Sequence, residues 1–159
     1  MKAIVVDDER HTRIFLQTVF DWNALGVTEV MEADNGETAL QLIFEHRPEL
    51  ILTDMRMPGK DGVRLLQALT ELGYPHRKIV ISGYDEYAYM KTAIAYGGFD
   101  YFIKPIDEEE VFKRLIEAVR ELDAETSKER ERQAMEARRS RSNGHTGTTV
   151  CPYAQIDRM

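Results

Sequence analysis

Apolar and polar positions follow two rhythms over residues 1–122. Short runs rich in Ile, Val and Leu recur at 2–7, 27–33, 50–54, 78–82 and 101–104, with the length and residue choice of β-strands. Between them, apolar residues return every three or four positions, which predicts amphipathic helices. One such series holds Ile14, Phe15, Thr18, Val19 and Trp22; the next holds Ala39, Leu40 and Ile43; a third holds Leu65, Leu66, Leu69 and Leu72. A weaker helix is expected over 86–97, with Met90, Ala93, Ile94 and Gly97 on one face. A stronger one is expected over 108–122, through Val111, Leu115, Val119 and Leu122. The strand–helix unit therefore repeats five times.

Three of the strands are apolar on consecutive residues: Ile4-Val5-Val6, Leu50-Ile51-Leu52 and Ile79-Val80-Ile81. A sheet with one wet face would not tolerate this, so both faces must be covered. Alternating strands and helices joined by right-handed crossovers predict an α/β fold, a doubly wound five-stranded parallel sheet with helices on either side. Sheets of this kind carry their sites at the C-terminal strand ends, where the winding reverses.

Those ends are polar. The first strand finishes Val6-Asp7-Asp8-Glu9, the third Thr53-Asp54-Met55-Arg56, the fourth Ser82-Gly83 and the fifth Ile103-Lys104-Pro105. Adjacent strand residues point to opposite faces, so Asp7 and Asp8 can serve one pocket only if the strand stops there and the backbone turns. Three carboxylates in one crevice repel each other, and burying them unpaired is costly, so either a proton or a cation must intervene. Carboxylate oxygens without Cys thiolates or clustered His suit Mg²⁺, a hard cation that keeps several waters. Lys104 adds a fixed positive charge, and together they would stabilise an anion. An Asp carboxylate can attack phosphorus, and the transfer then depends on in-line placement and charge neutralisation. Asp54, at the end of the central strand, is the candidate nucleophile, with Lys104 and the Ser82 hydroxyl as partners of the phosphoryl oxygens. The histidines at 11, 46, 76 and 145 are scattered, and Met55 and Met57 read as filler of gaps.

Charge divides the chain. Residues 1–122 hold 14 Lys/Arg against 22 Asp/Glu, whereas 123–159 hold 7 against 6. This places a domain over 1–122, a charged helical extension or linker over 123–139, whose apolar seam stops at Leu122, and a disordered tail over 140–159. A net charge of -7 argues against a surface built to coat nucleic acid. No apolar run approaches the ~20 residues that cross a bilayer, and one cysteine, Cys151, cannot form an internal disulfide, so a cytoplasmic setting is expected.

Asp7-Asp8, Asp54, Ser82 and Lys104-Pro105, in this order and at these strand ends, resemble the receiver domain of bacterial two-component response regulators. The resemblance covers residues 1 to about 122. It implies a flavodoxin-like sheet of order 2-1-3-4-5 and a phosphoryl group accepted on Asp54 from a sensor histidine kinase. It also implies Mg²⁺ held by Asp8, the Asp54 carboxylate and the Arg56 backbone carbonyl, with Asp7 acting through water. Ser82 and Lys104 would then contact the phosphoryl group, Tyr101 would be the switch aromatic, and Pro105 would follow a cis peptide bond. The face formed by the fourth helix, fifth strand and fifth helix would dimerise or meet a partner. Such a chain is a phosphoacceptor switch and not an enzyme acting on other molecules. Trp22-Asn23-Ala24-Leu25-Gly26 and Ser82-Gly83-Tyr84-Asp85-Glu86-Tyr87 further resemble receivers of regulators that carry an AraC-type helix-turn-helix domain. No helix-turn-helix pattern follows residue 122, so no DNA-binding domain is expected in this chain, and a truncated regulator of that type is one alternative. The other is an aspartyl-phosphate hydrolase of the haloacid dehalogenase type. Such enzymes carry a second Asp two residues after the nucleophile, where this chain has Arg56.

Overall fold

Over the described residues, 1–55, 62–83, 91, 95 and 100–144, the computed structural model begins β1 (Lys2–Val6), α1 (Arg10–Val19), β2 (Glu29–Ala33) and α2 (Gly36–His46). It continues through β3 (Leu50–Thr53), α3 (Gly62–Leu69), β4 (Arg77–Ser82), β5 (Asp100–Ile103) and α4 (Glu108–Gly144). Most of the helix expected over 86–97 lies outside the described residues. By internal packing the chain divides into Met1–Leu122 and Asp123–Met159.

In the first unit the five strands pair in parallel in the order β2-β1-β3-β4-β5. The consecutive apolar residues of β1 and β3 are almost wholly buried, because alternate side chains enter two separate cores. Ala3, Val5, Leu50, Leu52, Ile79 and Ile81 pack on one face with Leu16 of α1 and Val111 and Leu115 of α4. Ile4, Val6, Ile51 and Val80 pack on the other with Leu40 and Ile43 of α2 and Leu65, Leu66 and Leu69 of α3. β5 forms an edge of this sheet, and its Ile103 is exposed.

Local chemistry sets the helix limits, and two expectations are corrected. The apolar series of α1 does not reach Trp22: the chain leaves the helix at Phe20, which is extended, and Trp22 folds back so that its indole N–H donates to the Leu16 carbonyl at 3.2 Å. Ile14 points outward, 46% exposed, because Leu16 and Phe20 carry the buried face. α2 starts at Asn35, whose side chain accepts from the Thr38 amide at 2.8 Å, and ends at Arg47 in the left-handed region with φ 51°.

In the second unit α4 is helical from Asp123 through Gly144, so residues 140–144, expected in the disordered tail, are helical instead. Arg138, Arg139 and Arg141 lie in its last turns, where cations complement the helix dipole, and Arg132 pairs with Glu129 at 2.7 Å. Residues 145–159 lie outside the described residues. Among the described residues no helix is long and apolar enough to cross a membrane.

Candidate functional site

The site lies where β1 and β3, neighbours at the centre of the sheet, both stop. Their last paired residues are Val6 and Thr53, so Asp7 and Asp54 are the first residues past the ladder. Each is still held by one more backbone bond: the Asp7 amide donates to the Ala33 carbonyl at 3.1 Å, and the Asp54 amide to the Val6 carbonyl at 2.9 Å. Asp7 then turns the chain, its Oδ1 accepting from the Glu9 amide at 2.8 Å, a local Asx turn that ends the strand. Asp8, carried round that turn, is exposed, whereas Asp7 and Asp54 are buried. Each of the three offers a carboxylate oxygen, and these oxygens lie within 4.8 Å of one another.

Lys104 reaches this cluster from the end of β5. Its backbone amide donates to the Ser82 carbonyl at 2.8 Å, extending the β4–β5 pairing by one residue. Its ammonium donates to Asp7 Oδ2 at 2.9 Å and to Asp54 Oδ2 at 3.3 Å. The Lys104–Pro105 peptide bond is cis. Ser82 is fully buried at the end of β4. Tyr101, paired in register with Val80, is half-buried and packs against the second core. Arg56, expected to contribute a backbone carbonyl, lies outside the described residues.

Burial dominates the electrostatics of Asp7 and raises its pKa; the Glu9 amide and the Lys104 ammonium oppose that rise, and the Asp54 charge adds to it. For Lys104 burial works downward, but the hydrogen bonds and charges of Asp7 and Asp54 outweigh it and the pKa is raised. Lys104 is thus a firmly held cation beside the Asp7 carboxylate, which burial makes costly to ionise.

A hard divalent cation fits this donor set: the ligand atoms are carboxylate oxygens, they already converge, and the Lys104 ammonium faces them as a counter-charge bonded to both Asp7 and Asp54.

One residue that the sequence reading passed over also belongs here. Arg13, in the first turns of α1, donates from Nη1 to the Asp7 carbonyl at 2.7 Å. Its position six residues after Asp7, just inside a helix, is the only signal the sequence offers.

Residues 3–116 match the response regulator receiver domain family. The transcriptional regulatory protein HptR of Staphylococcus aureus is 37% identical over 123 residues, 76% of this chain and 48% of that protein. The REC domain of AraT, a response regulator from Geobacillus stearothermophilus, is 34% identical with a TM-score of 0.73, covering 79% of this chain and 97% of that one. The two component transcriptional regulator AraC from Clostridium phytofermentans is 30% identical with a TM-score of 0.71, covering 80% and 98%. The chain spans less than half the length of the first curated relatives it matches.

Proposed function

The chain belongs to the response regulator receiver domains, and from that membership we propose that Asp54 takes up a phosphoryl group from a sensor histidine kinase in a Mg²⁺-dependent reaction. Phosphorylation on an aspartate is general to the family. The observation that carries the assignment to Asp54 is the Lys104 ammonium bonded at once to Asp7 and Asp54, with Asp8 alongside. Of the three carboxylates, Asp54 is the one on the central strand end between the other acids and β4.

In the reaction, one carboxylate oxygen of Asp54 bonds to phosphorus as the P–N bond to the donor imidazole breaks. The departing nitrogen keeps the electron pair and takes a proton. Asp8, Asp54 and the Arg56 backbone carbonyl would hold Mg²⁺, with Asp7 reaching it through water; bound there, the ion supplies Lewis-acid stabilisation of the phosphoryl oxygens. Lys104 exchanges its bond to Asp54 for one to a phosphoryl oxygen, and Ser82 donates a second. These residues all belong to the chain, so uptake and loss of phosphate are self-catalysed, and the protein acts as a switch.

The phosphoryl group adds about two negative charges beside Lys104. Drawing Ser82 inward makes room for Tyr101 to turn in, which biases a two-state equilibrium. The face carrying β5 and the start of α4 reports the change, by pairing with a second copy or with a partner. Its mixed charges support this reading: Asp100, Glu110, Lys113 and Arg114 line a cleft beside Tyr101. The output is transcription, in line with the names of the relatives, and the setting is the cytoplasm, in line with the single cysteine.

Intact mass after incubation with Mg²⁺ and acetyl phosphate tests the proposal. The native protein gains the mass of one phosphoryl group and Asp54→Asn gains none. An acid-labile phosphate on the Asn variant would mean that the nucleophile is another residue.

A further inference from the structure

A strand sends neighbouring side chains to opposite faces, yet Asp7 and Asp8 offer oxygens to one cluster with Asp54. Something must hold the backbone in the turn that brings them together. The Asp7 side chain holds one end of it, through the Glu9 amide at 2.8 Å. The Asp7 carbonyl lies past the last paired residue of β1, Val6, and among the described residues it has no ladder partner. Arg13 fills that place: Nη1 donates to the Asp7 carbonyl at 2.7 Å from a side chain only 12% exposed. The Glu32 carboxylate of β2, which accepts from Gln17 of α1, lies 3.9 Å from Nε, an ion-pair distance without a hydrogen bond. The Arg13 amide, bonded to the Glu9 carbonyl at 3.2 Å, closes the first turn of α1 directly beneath.

We propose that Arg13 is the positioning residue of the acidic cluster: by capturing the Asp7 carbonyl it fixes the turn that aims Asp7 and Asp8 at one bound cation. The inference rests on the reading of Asp7, Asp8 and Asp54 as a divalent-cation site. Arg13 touches neither the cation nor the phosphoryl group. It acts through the backbone, and its guanidinium is suited to the task because a planar, always-charged donor makes a short bond to a buried residue's carbonyl.

Charge and geometry predict opposite results, which makes the test sharp. Removing a positive charge near three carboxylates raises the negative potential and by itself tightens cation binding. Losing the turn weakens it. Calorimetric titration of the full chain with MgCl₂ compares native protein, Arg13→Met, Arg13→Leu and Arg13→Lys, with the melting temperature of each recorded in EDTA to establish folding. Binding to Arg13→Met is expected about tenfold weaker than native, and Arg13→Leu, which also lacks a donor, reads the same contact should the Met variant fail to fold. Arg13→Lys retains a donor for the carbonyl and is expected to bind more tightly than either neutral variant, although its charge acts the other way. Equal or tighter Mg²⁺ binding by the folded neutral variants overturns the inference and leaves the cation site standing, as does a Lys variant that binds no better than they do. A native protein that takes up no Mg²⁺ overturns the site itself and the role of Arg13 with it.

Discussion

Replacing Lys104 by Met keeps the aliphatic stem and removes the ammonium from between two buried carboxylates. At an effective dielectric constant of about 20, a unit charge 2.9 Å from Asp7 is worth about 6 kcal/mol and one 3.3 Å from Asp54 about 5 kcal/mol. These are gross attractions. The native protein has already spent much of them on burying Lys104, and Asp7 in the variant escapes part of the loss by binding a proton. Removal of one partner from a buried ion pair typically costs about 3–5 kcal/mol, which is the expected net loss near neutral pH without metal. For a domain of this size that corresponds to a fall in melting temperature of roughly 10–20 °C. The pH sign follows from the raised pKa of Asp7: its contribution is fully present below its ordinary value of 3.8 and is lost as pH rises through the raised folded value. The deficit of Lys104→Met should therefore shrink as the pH falls toward that range. Mg²⁺ at about 100 times its Kd should restore about 2.7 kcal/mol at any pH where the carboxylates are ionised. Thermal melts in EDTA and in Mg²⁺, over about pH 5 to 8, measure all three effects. A variant that melts within about 2 °C of native in EDTA at neutral pH would show that the ammonium does not hold the carboxylates together.

Burial pushes the Tyr74 phenol up to about 12, with the Glu49 carboxylate adding to the rise and the Arg47 guanidinium opposing it. Its contribution to stability is full below its ordinary pKa of 10.0 and is lost as pH rises through the higher value, so an ultraviolet alkaline titration of Tyr74→Phe should lack a late phenolate step that the native protein shows. Asn35→Ala removes the cap of α2 and should cost about 1 kcal/mol in urea melts, with m unchanged. Leu52→Ala opens a cavity in the first core and should cost about 2–5 kcal/mol; a loss under 1 kcal/mol would mean that the core collapses around the gap.

The sheet was legible because burial on both faces leaves an unmistakable record: runs such as Leu50-Ile51-Leu52 have no other soluble use, and each of them became a buried parallel strand. The acids and Lys104 were legible because strand ends are where such folds keep chemistry, and the structure brings Asp7, Asp8, Asp54 and Lys104 together. Helix limits were less so. A period of 3.6 residues says which face is apolar and not where the helix stops, which is why Trp22 joined the α1 series on paper yet packs from the loop, while Ile14 fits the series and faces water. Arg13 was missed for a related reason. A side chain that bonds to a carbonyl six residues back is indistinguishable, by composition or periodicity, from any polar residue on a helix surface.

Arg13 and Lys104 divide the work of assembling the cluster in a way that follows from where each begins. Lys104 starts just past β5, across the sheet, and ends on carboxylates of the acidic cluster itself, bonding to Asp7 and Asp54. Those bonds must be exchangeable for the site to react. Arg13 starts on α1 and ends on a backbone carbonyl, outside the set of oxygens that take part in chemistry. Its bond can persist whatever occupies the crevice. A switch needs both kinds of contact, one that trades partners when the charge changes and one that keeps the geometry constant while it does. Asp7 supplies an anchor for each, its carboxylate for Lys104 and its backbone carbonyl for Arg13.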